Sequence, residues 1–177
     1  AVRFALSNLE TVVEEDADED VSLVDRWIIS RLHRTTHLVE DALGEYHFNQ
    51  YAEAMYDLVW RDFCDWYLEA IKPTVRSSRG QQQRLHAVLD SILRMLHPSC
   101  PFVTETLWPH LQKVEGLRGT DGDTGVRGLI LPAADRCGMS AWPDIDCSTH
   151  DEAAESEFAR VQALVAAIRN LRGERQV

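Results

Sequence analysis

The sequence predicts an all-α fold, an up-and-down antiparallel helix bundle with one long irregular loop and at most one short strand or hairpin. Apolar residues recur at three- and four-residue steps over most of the chain, and proline or glycine separates these stretches. The composition is that of an ordinary globular protein, with 45% hydrophobic and 8% aromatic residues among 177. We interpret residues 1–177 as one helical domain in which residues 115–150 form a long loop insertion.

The N-terminal region predicts the end of one helix and the start of another. Residues 1–9 have helical composition without a start signal, which indicates a helix that begins outside this sequence. An acidic, solvated run follows at 14–20, and Ser22 with Asp25 resembles a capping pair. The apolar face of the next helix consists of Val24, Trp27, Ile28, Leu32, Leu38, Val39 and Leu43, before Gly44 weakens its end.

Two further helices are predicted in the middle of the chain. We expect Asn49 to cap the first and Pro73 to end it. Its apolar stripe is Ala52, Met55, Val59, Phe63, Trp66 and Ala70. The polar segment 76–84 is interpreted as a link. The helix that follows presents Leu85, Val88, Leu89, Ile92, Leu93 and Leu96, and the HPSCP segment stops it.

Pro101 suits the first turn of another helix, which contains Phe102, Leu107, Trp108 and Leu111. In residues 115–150 no amphipathic period survives and only LIL resembles a strand, so we expect a mobile surface loop. Thr149 and Glu152 form a second predicted capping pair. The seam of the last helix is Phe158, Val161, Leu164, Val165, Ile168 and Leu171.

The charge balance restricts the kinds of partner that the chain can bind. A net charge of −11 argues against sequence-blind nucleic-acid binding, which depends on neutralising phosphates, so any RNA contact must be local. Seven acidic residues lie between Glu10 and Asp20. Basic residues cluster at Arg26, Arg31 and Arg34, at Arg76, Arg79 and Arg84, and at Arg160, Arg169, Arg172 and Arg175.

No export signal or membrane-spanning stretch is visible, and the four cysteines show no CxxC spacing. We therefore expect free thiols in a reducing compartment, no membrane partner and a cytoplasmic location.

Two acid or histidine clusters could carry metal chemistry. His33 and His37 share a helix face but lack further ligands, and no HExxH pattern occurs. Asp62, Asp65 and Glu69 form a potential magnesium-binding ridge, which more often is the polar face of an amphipathic helix. No phosphate-binding glycine loop or nucleophile motif accompanies them. We expect no catalytic residue, metal or cofactor in this chain.

The segment WRDFCDWYLEAIKP, residues 60–73, resembles the bacterial-type valyl-tRNA synthetases, class I enzymes whose anticodon-binding domain contains FCDWYLE followed by KP. Five further segments are similar and occur in family order: VRFALSNLE (2–10), DRWIISRL (25–32), RMLHPSCPFVTETLWPHL (94–111), SAWP (140–143) and LVAAIRNLRGE (164–174). FCDWYLE favours the valine enzymes over their isoleucine and leucine relatives. Residues 116–138 depart from the family pattern, because this stretch is longer than we expect for the family.

The resemblance implies a helical C-terminal domain that docks the anticodon stem-loop of a valine tRNA. Activation of valine with ATP and magnesium would belong to a separate catalytic domain, whose HIGH and KMSKS motifs do not occur here. We therefore expect this chain to be a non-catalytic piece of a monomeric valine–tRNA ligase that contacts tRNA and the rest of its own polypeptide.

The same resemblance assigns candidate tRNA-binding residues. Phe4 would stack on an anticodon base and Arg3 would donate to a phosphate or base edge, while core packing is the alternative for Phe4. Leu68 would be an apolar contact to a base, with the same alternative, and Asn8 and Lys72 are candidates by proximity. Trp60, Trp66 and Tyr67 are interpreted as core residues, and Arg169 and Arg172 as surface residues or backbone contacts.

Three other functions stay open at this point. The chain could be the anticodon-binding domain of an isoleucyl or leucyl enzyme. A non-catalytic helical protein-interaction bundle would explain the acidic composition equally well. A metal-dependent enzyme would have to use Asp62, Asp65 and Glu69.

Overall fold

The computed structural model describes residues 2–9, 11–14, 21–114, 116–117 and 120–174. Its helices are α1 (Val2–Leu9), α2 (Leu23–Gly44), α3 (Phe48–Tyr56), a π-helix (Asp57–Tyr67), α4 (Leu68–Ile71), α5 (Arg79–Leu96), α6 (Pro101–Gln112) and α7 (Glu152–Glu174). Strands β1 (Leu129–Ile130) and β2 (Asp144–Ile145) pair antiparallel, with Leu129 opposite Ile145. The predicted all-α bundle with one short hairpin is confirmed. Most of the acidic run, residues 15–20, lies outside the described residues.

Several predicted helix signals are confirmed. The Ser22 hydroxyl accepts a hydrogen bond from the backbone N–H of Asp25 at 3.2 Å, so Ser22 caps α2. Gly44 is the last residue of α2, and Pro101 occupies the first turn of α6.

Three predicted boundaries are wrong. Asn49 lies inside α3, whose N-cap is His47. Residues 76–84 are only partly a link, because Ser78 accepts from the backbone N–H of Gln81 at 3.0 Å and starts α5 at Arg79. The cap of α7 comes from Asp151, whose Oδ1 accepts from the backbone N–H of Ala154 at 2.8 Å, rather than from Thr149.

The core lies between α2, α5 and the rod formed by α3, the π-helix and α4. From α2 it contains Trp27, Ile28, Leu32 and Val39, whereas Leu38 is 52% exposed. The predicted face of α5 is confirmed, since Leu85, Val88, Leu89, Ile92 and Leu93 are all buried. A buried polar cluster joins the three elements: Asp25 Oδ1 accepts from the Tyr67 hydroxyl at 3.0 Å, and Asp25 Oδ2 lies 3.3 Å from both Gln81 Nε2 and Arg84 Nε.

The single helix predicted before Pro73 is instead α-helical, then π-helical, then α-helical. A π-helix bonds residues five apart, so side chains beyond Tyr56 leave the face that a 3.6-residue period assigns to them. Met55 and Phe63 are buried as expected, whereas Ala52 and Ala70 are exposed. Tyr67 is fully buried as predicted, Trp66 is partly buried against Phe158, and the prediction of a core position for Trp60 is wrong because it is 55% exposed.

The description of residues 115–150 as a mobile surface loop needs correction. Leu117, Leu129, Leu131, Cys137 and Ile145 are buried, and the hairpin packs against the bundle. Arg94 holds this segment: its guanidinium pairs with Asp90 and donates to the carbonyls of Ala141 and Pro132, each at 2.8 Å. Periodicity could not reveal this packing, because the anchoring groups are backbone carbonyls.

The last helix also differs from its prediction. Phe158 is buried and stacks on Trp27, with ring centroids 4.2 Å apart. Val161, Leu164, Ile168 and Leu171 are 40–62% exposed, so most of the predicted seam faces outward. Among the described helices, none is long and apolar enough to cross a membrane.

Candidate nucleic-acid interface

Helix α1 presents Arg3 and Phe4 at the surface of the bundle. Arg3 is exposed and Phe4 is partly buried against the core. The Lys72 ammonium, just beyond α4, lies 5.5 Å from the centroid of the Phe4 ring, within the range of a cation–π contact. Two segments that are far apart in sequence therefore combine an aromatic face and a cation, which are the groups that bind unstacked bases and phosphates.

Asn8 holds this arrangement in place through hydrogen bonds of its buried side chain. It is 4% exposed, its Nδ2 donates to the Phe4 carbonyl at 2.7 Å, and its Oδ1 accepts from Arg76 Nε at 2.8 Å. The Asn8 carbonyl also accepts from Gln82 Nε2 of α5 at 2.9 Å. Asn8 thus positions Arg76 and α1 rather than offering a free amide to a ligand. We call Arg3, Phe4, Lys72 and Arg76 the α1 site.

Arg76 is a member of this site that sequence reasoning missed as a candidate. It appears in the sequence only as part of a basic cluster, and its link to Asn8 spans 68 residues. No local pattern could have shown that connection.

Leu68 does not reach the surface. It is 2% exposed and lies in the core beside Ile71, so the packing alternative describes its position and the expected contact with a base has no support here. The Lys72 ammonium also forms an ion pair with Glu69 on the surface, where such pairs contribute little stability.

Arg3 also borders a groove of about 980 Å³ between α1 and α6. The described residues that line it include Arg3, His110 and Lys113 together with the apolar Leu6, Leu9 and Leu107, and none of them is acidic. In a chain with a net charge of −11, such a groove is a local region suited to an anion.

The other basic clusters are largely engaged within the protein. Arg26 pairs with Asp151 at 3.0 Å, and Arg31 pairs with Asp62 at 2.7 Å. Arg79 donates to the carbonyls of Val13 and Gly116. Arg169 lies 5.8 Å from the centroid of the Trp66 ring. These contacts favour a structural role for the clusters on α2 and α5. Arg175 lies outside the described residues.

The proposed acidic ridge does not form. Asp62 is 8% exposed and bonded to Arg31, Asp65 is exposed, and Glu69 pairs with Lys72. Burial raises the pKa of Asp62, and the hydrogen bond and charge of Arg31 offset this only in part. Because Asp62 and Asp65 lie on the π-helix, a step of three residues no longer keeps them on one face.

The histidines form a small cluster on the surface of α2. His33 and His37 approach to 3.2 Å between their Nε2 atoms, and the His150 ring lies 5.6 Å from that of His33. Burial, followed by the charges of His37 and His150, lowers the pKa of His33. Within the part of the chain that the structure describes, no group of three or more His, Cys, Asp or Glu side chains is arranged to hold a metal ion.

The sequence is similar to a known domain family and to several named proteins. Residues 25–177 match the family model described as the anticodon-binding domain of tRNA ligase. The valine–tRNA ligase of Thermotoga maritima is 39% identical over 176 residues, which is 98% of this chain and 18% of that protein. The corresponding ligase of Rhodopirellula baltica is 34% identical over 181 residues, 100% of this chain and 17% of that protein. That of Pseudothermotoga lettingae is 35% identical over 179 residues, 100% and 18% respectively.

Nearly all of this chain is matched, but it spans less than a fifth of the length of these curated relatives. The match begins at Asp25, whose carboxylate organises the buried contacts between α2, the π-helix and α5. On these grounds the chain belongs to the family of anticodon-binding domains of tRNA ligases.

Proposed function

We propose that this chain docks the anticodon stem-loop of a valine tRNA through the α1 site, as one module of a cytoplasmic, monomeric valine–tRNA ligase. Activation of valine with ATP and magnesium would take place in another part of the parent polypeptide. Family membership supports tRNA as the ligand, and the names of the three relatives support valine as the amino acid.

The observation that carries the proposal is the position of the Lys72 ammonium 5.5 Å from the Phe4 ring centroid, at the surface. An anticodon base could stack on the free part of the ring, since base–aromatic stacking tolerates any base. Arg3, Lys72 and Arg76 would neutralise the neighbouring phosphates. Anticodon discrimination would then come from hydrogen bonds to base edges around this stack.

A hairpin titration tests the proposal. Fluorescence anisotropy would follow binding of the 177-residue chain to a valine anticodon hairpin and to one with an altered anticodon, at several salt concentrations. We expect saturable binding that favours the valine hairpin and weakens as salt rises, with a slope that reflects about two or three neutralised phosphates.

Two outcomes would overturn it. Equal affinity for both hairpins would show RNA binding that does not depend on the anticodon. No saturable signal from a chain that circular dichroism shows to be folded would favour the protein-interaction bundle.

A further inference from the structure

Four large apolar side chains stand exposed at one end of the bundle. Tyr46 and Phe48, in the turn from α2 to α3, are 78% and 61% exposed. Phe102 and Val103, at the start of α6, are 88% and 60% exposed. We call these four residues the apolar end patch. Buried apolar area is the main source of association free energy, so a concentration of exposed aromatics marks an interaction surface.

The two turns that carry the patch are held together by Tyr51. Its hydroxyl lies 3.0 Å from the Ser99 hydroxyl and donates to the Met95 carbonyl at 2.8 Å. Ser99 belongs to the turn between α5 and α6, and Tyr51 lies one helical turn after Phe48. The patch is therefore a joint feature of two chain segments fixed to each other.

Tyr46 occupies a backbone conformation that costs stability. Its φ angle is 61°, in the left-handed region, and its N–H donates to the Leu43 carbonyl at the end of α2. Glycine is the usual residue at this position because a side chain is strained there. A bulky tyrosine at this position keeps an aromatic ring on the surface, where it contacts Phe48 with ring centroids 6.3 Å apart. Such a conflict between stability and residue choice is typical of a functional surface.

The composition of the two chain segments that carry the patch points to a protein partner rather than RNA. No lysine or arginine occurs between Arg34 and Arg61, or between Arg94 and Lys113. Asp41, Glu45 and Glu105 lie in the same segments. Phosphate contacts require cations, and these two segments supply no lysine or arginine, whereas a partner surface with an apolar centre and a basic rim would complement them.

The patch also lies far from the α1 site. The rod of α3, the π-helix and α4 runs continuously from Phe48 to Ile71, next to Lys72, and a helical rod of this length separates its ends by roughly 30 Å. A tRNA loop on the α1 site would therefore leave the apolar end patch free.

We propose that the apolar end patch is the surface on which the rest of the parent polypeptide packs, through an apolar area with a basic rim. The inference rests on the proposed function, because it requires a larger parent protein. It is supported by the relatives, of whose length this chain covers only 17–18%. In this arrangement the parent enzyme holds the bundle at one end and the anticodon loop occupies the other.

Cys100 provides a native probe of the patch. It is exposed and immediately precedes α6, while Cys147 is exposed elsewhere and serves as an internal control. Timed alkylation with N-ethylmaleimide, read by peptide mass spectrometry, gives the rate at Cys100 relative to Cys147. We expect this ratio to be at least tenfold lower in the native parent protein than in the 177-residue chain. An unchanged ratio would overturn the proposal.

The 177-residue chain should sediment as a monomer in the same buffer. A dimer in which Cys100 is already protected would show that a second copy covers the patch, and this too would overturn the proposal.

Tyr46→Gly tests the docking role of the patch by removing one of its aromatic rings. We expect it to raise the Tm of the 177-residue chain by about 2–4 °C, because the strain at the helix end is relieved. In the parent protein it should speed the alkylation of Cys100 several-fold. Asp121→Gly is the matched control, since Asp121 also has a positive φ of 57° but lies outside the patch, and it should leave the Cys100 rate unchanged.

An unchanged Cys100 rate in the parent Tyr46→Gly variant would contradict the proposal. Hairpin binding by the 177-residue chain does not depend on the patch, so failure of the docking proposal and failure of the proposed function are separable.

Discussion

The Tyr67 hydroxyl donates a 3.0 Å hydrogen bond to Asp25 Oδ1, and both residues are fully buried. This bond joins the π-helix to α2 at the end of the bundle that carries the α1 site. Because Asp25 also lies 3.3 Å from Arg84 Nε, the carboxylate is held by hydrogen bonds and by a partner charge. Tyr67 and Asp25 therefore set how the FCDWYLE segment sits against the rest of the fold.

Replacing Tyr67 with phenylalanine should lower the free energy of unfolding by about 1–3 kcal/mol, since a buried carboxylate loses a donor. Urea denaturation followed by circular dichroism measures the change. Tyr56→Phe is the control, because Tyr56 is 56% exposed, and its effect should stay within about 0.5 kcal/mol. Equal effects of the two changes would show that the Tyr67 hydroxyl does not stabilise the buried polar cluster around Asp25.

The same pair predicts a pH dependence. Burial, followed by the charge and hydrogen bond of Asp25, raises the pKa of Tyr67 well above 10. Above the unfolded pKa of about 10 the unfolded chain loses this proton while the folded chain keeps it, so the free energy of unfolding falls as pH rises. Denaturation at a series of pH values above 10 should show a smaller fall in Tyr67→Phe. An identical slope in both proteins would contradict the assignment.

Asn8→Ala should destabilise the chain by about 1–3 kcal/mol and weaken hairpin binding, because it removes the side-chain hydrogen bond to the Phe4 carbonyl and releases Arg76. Ser7→Ala is a close control: the Ser7 hydroxyl also donates to the Phe4 carbonyl, at 2.9 Å, but Ser7 is exposed. We expect little change in either stability or binding from Ser7→Ala. If Asn8→Ala left hairpin affinity intact in a folded protein, the positioning role of Asn8 would be lost.

Leu68→Ala should cost about 2–5 kcal/mol of stability, the usual range for truncating a buried leucine. Leu68→Met keeps most of the volume and should cost less than about 1.5 kcal/mol. Neither change should alter hairpin affinity at a temperature where the variant is folded. A large loss of affinity with little loss of stability would restore Leu68 as a contact.

Phe4→Ala should weaken hairpin binding by on the order of 1–3 kcal/mol, the value of a base–aromatic stack. Phe4→Trp retains an aromatic face and should preserve most of the affinity. Isothermal titration calorimetry with the valine hairpin measures both. A loss below a few tenths of a kcal/mol for Phe4→Ala would assign Phe4 to packing alone.

Local sequence signals predicted several helix positions, although the local caps Ser78 and Asp151 were missed. Ser22 caps α2, Pro101 opens α6, and the apolar positions of α5 are buried as their spacing requires. The π-helix was missed because a single extra residue per turn is not encoded in a 3.6-residue pattern. The packing of residues 129–145 was missed because Arg94 holds it through two backbone carbonyls.

The site was predictable in part. The family resemblance indicated Arg3, Phe4 and Lys72, and the structure brings Phe4 and Lys72 together. It could not show that Leu68 and Asn8 point inward, or that Arg76 joins the site through Asn8, because both depend on contacts between distant parts of the chain. The exposure of Tyr46 and Phe102 likewise depends on how two turns that are far apart in sequence meet, so a short stretch of sequence could not show it.

Photo-crosslinking can locate the bound RNA on the bundle. A valine anticodon hairpin that carries a 4-thiouridine in its anticodon loop would be irradiated with the 177-residue chain, and the crosslinked peptide identified by mass spectrometry. We predict crosslinks to residues 2–9 or 72–76, and their loss when unlabelled valine hairpin competes. Competed crosslinks confined to residues 46–48 or 102–103 would place the RNA at the opposite end of the bundle and contradict this prediction.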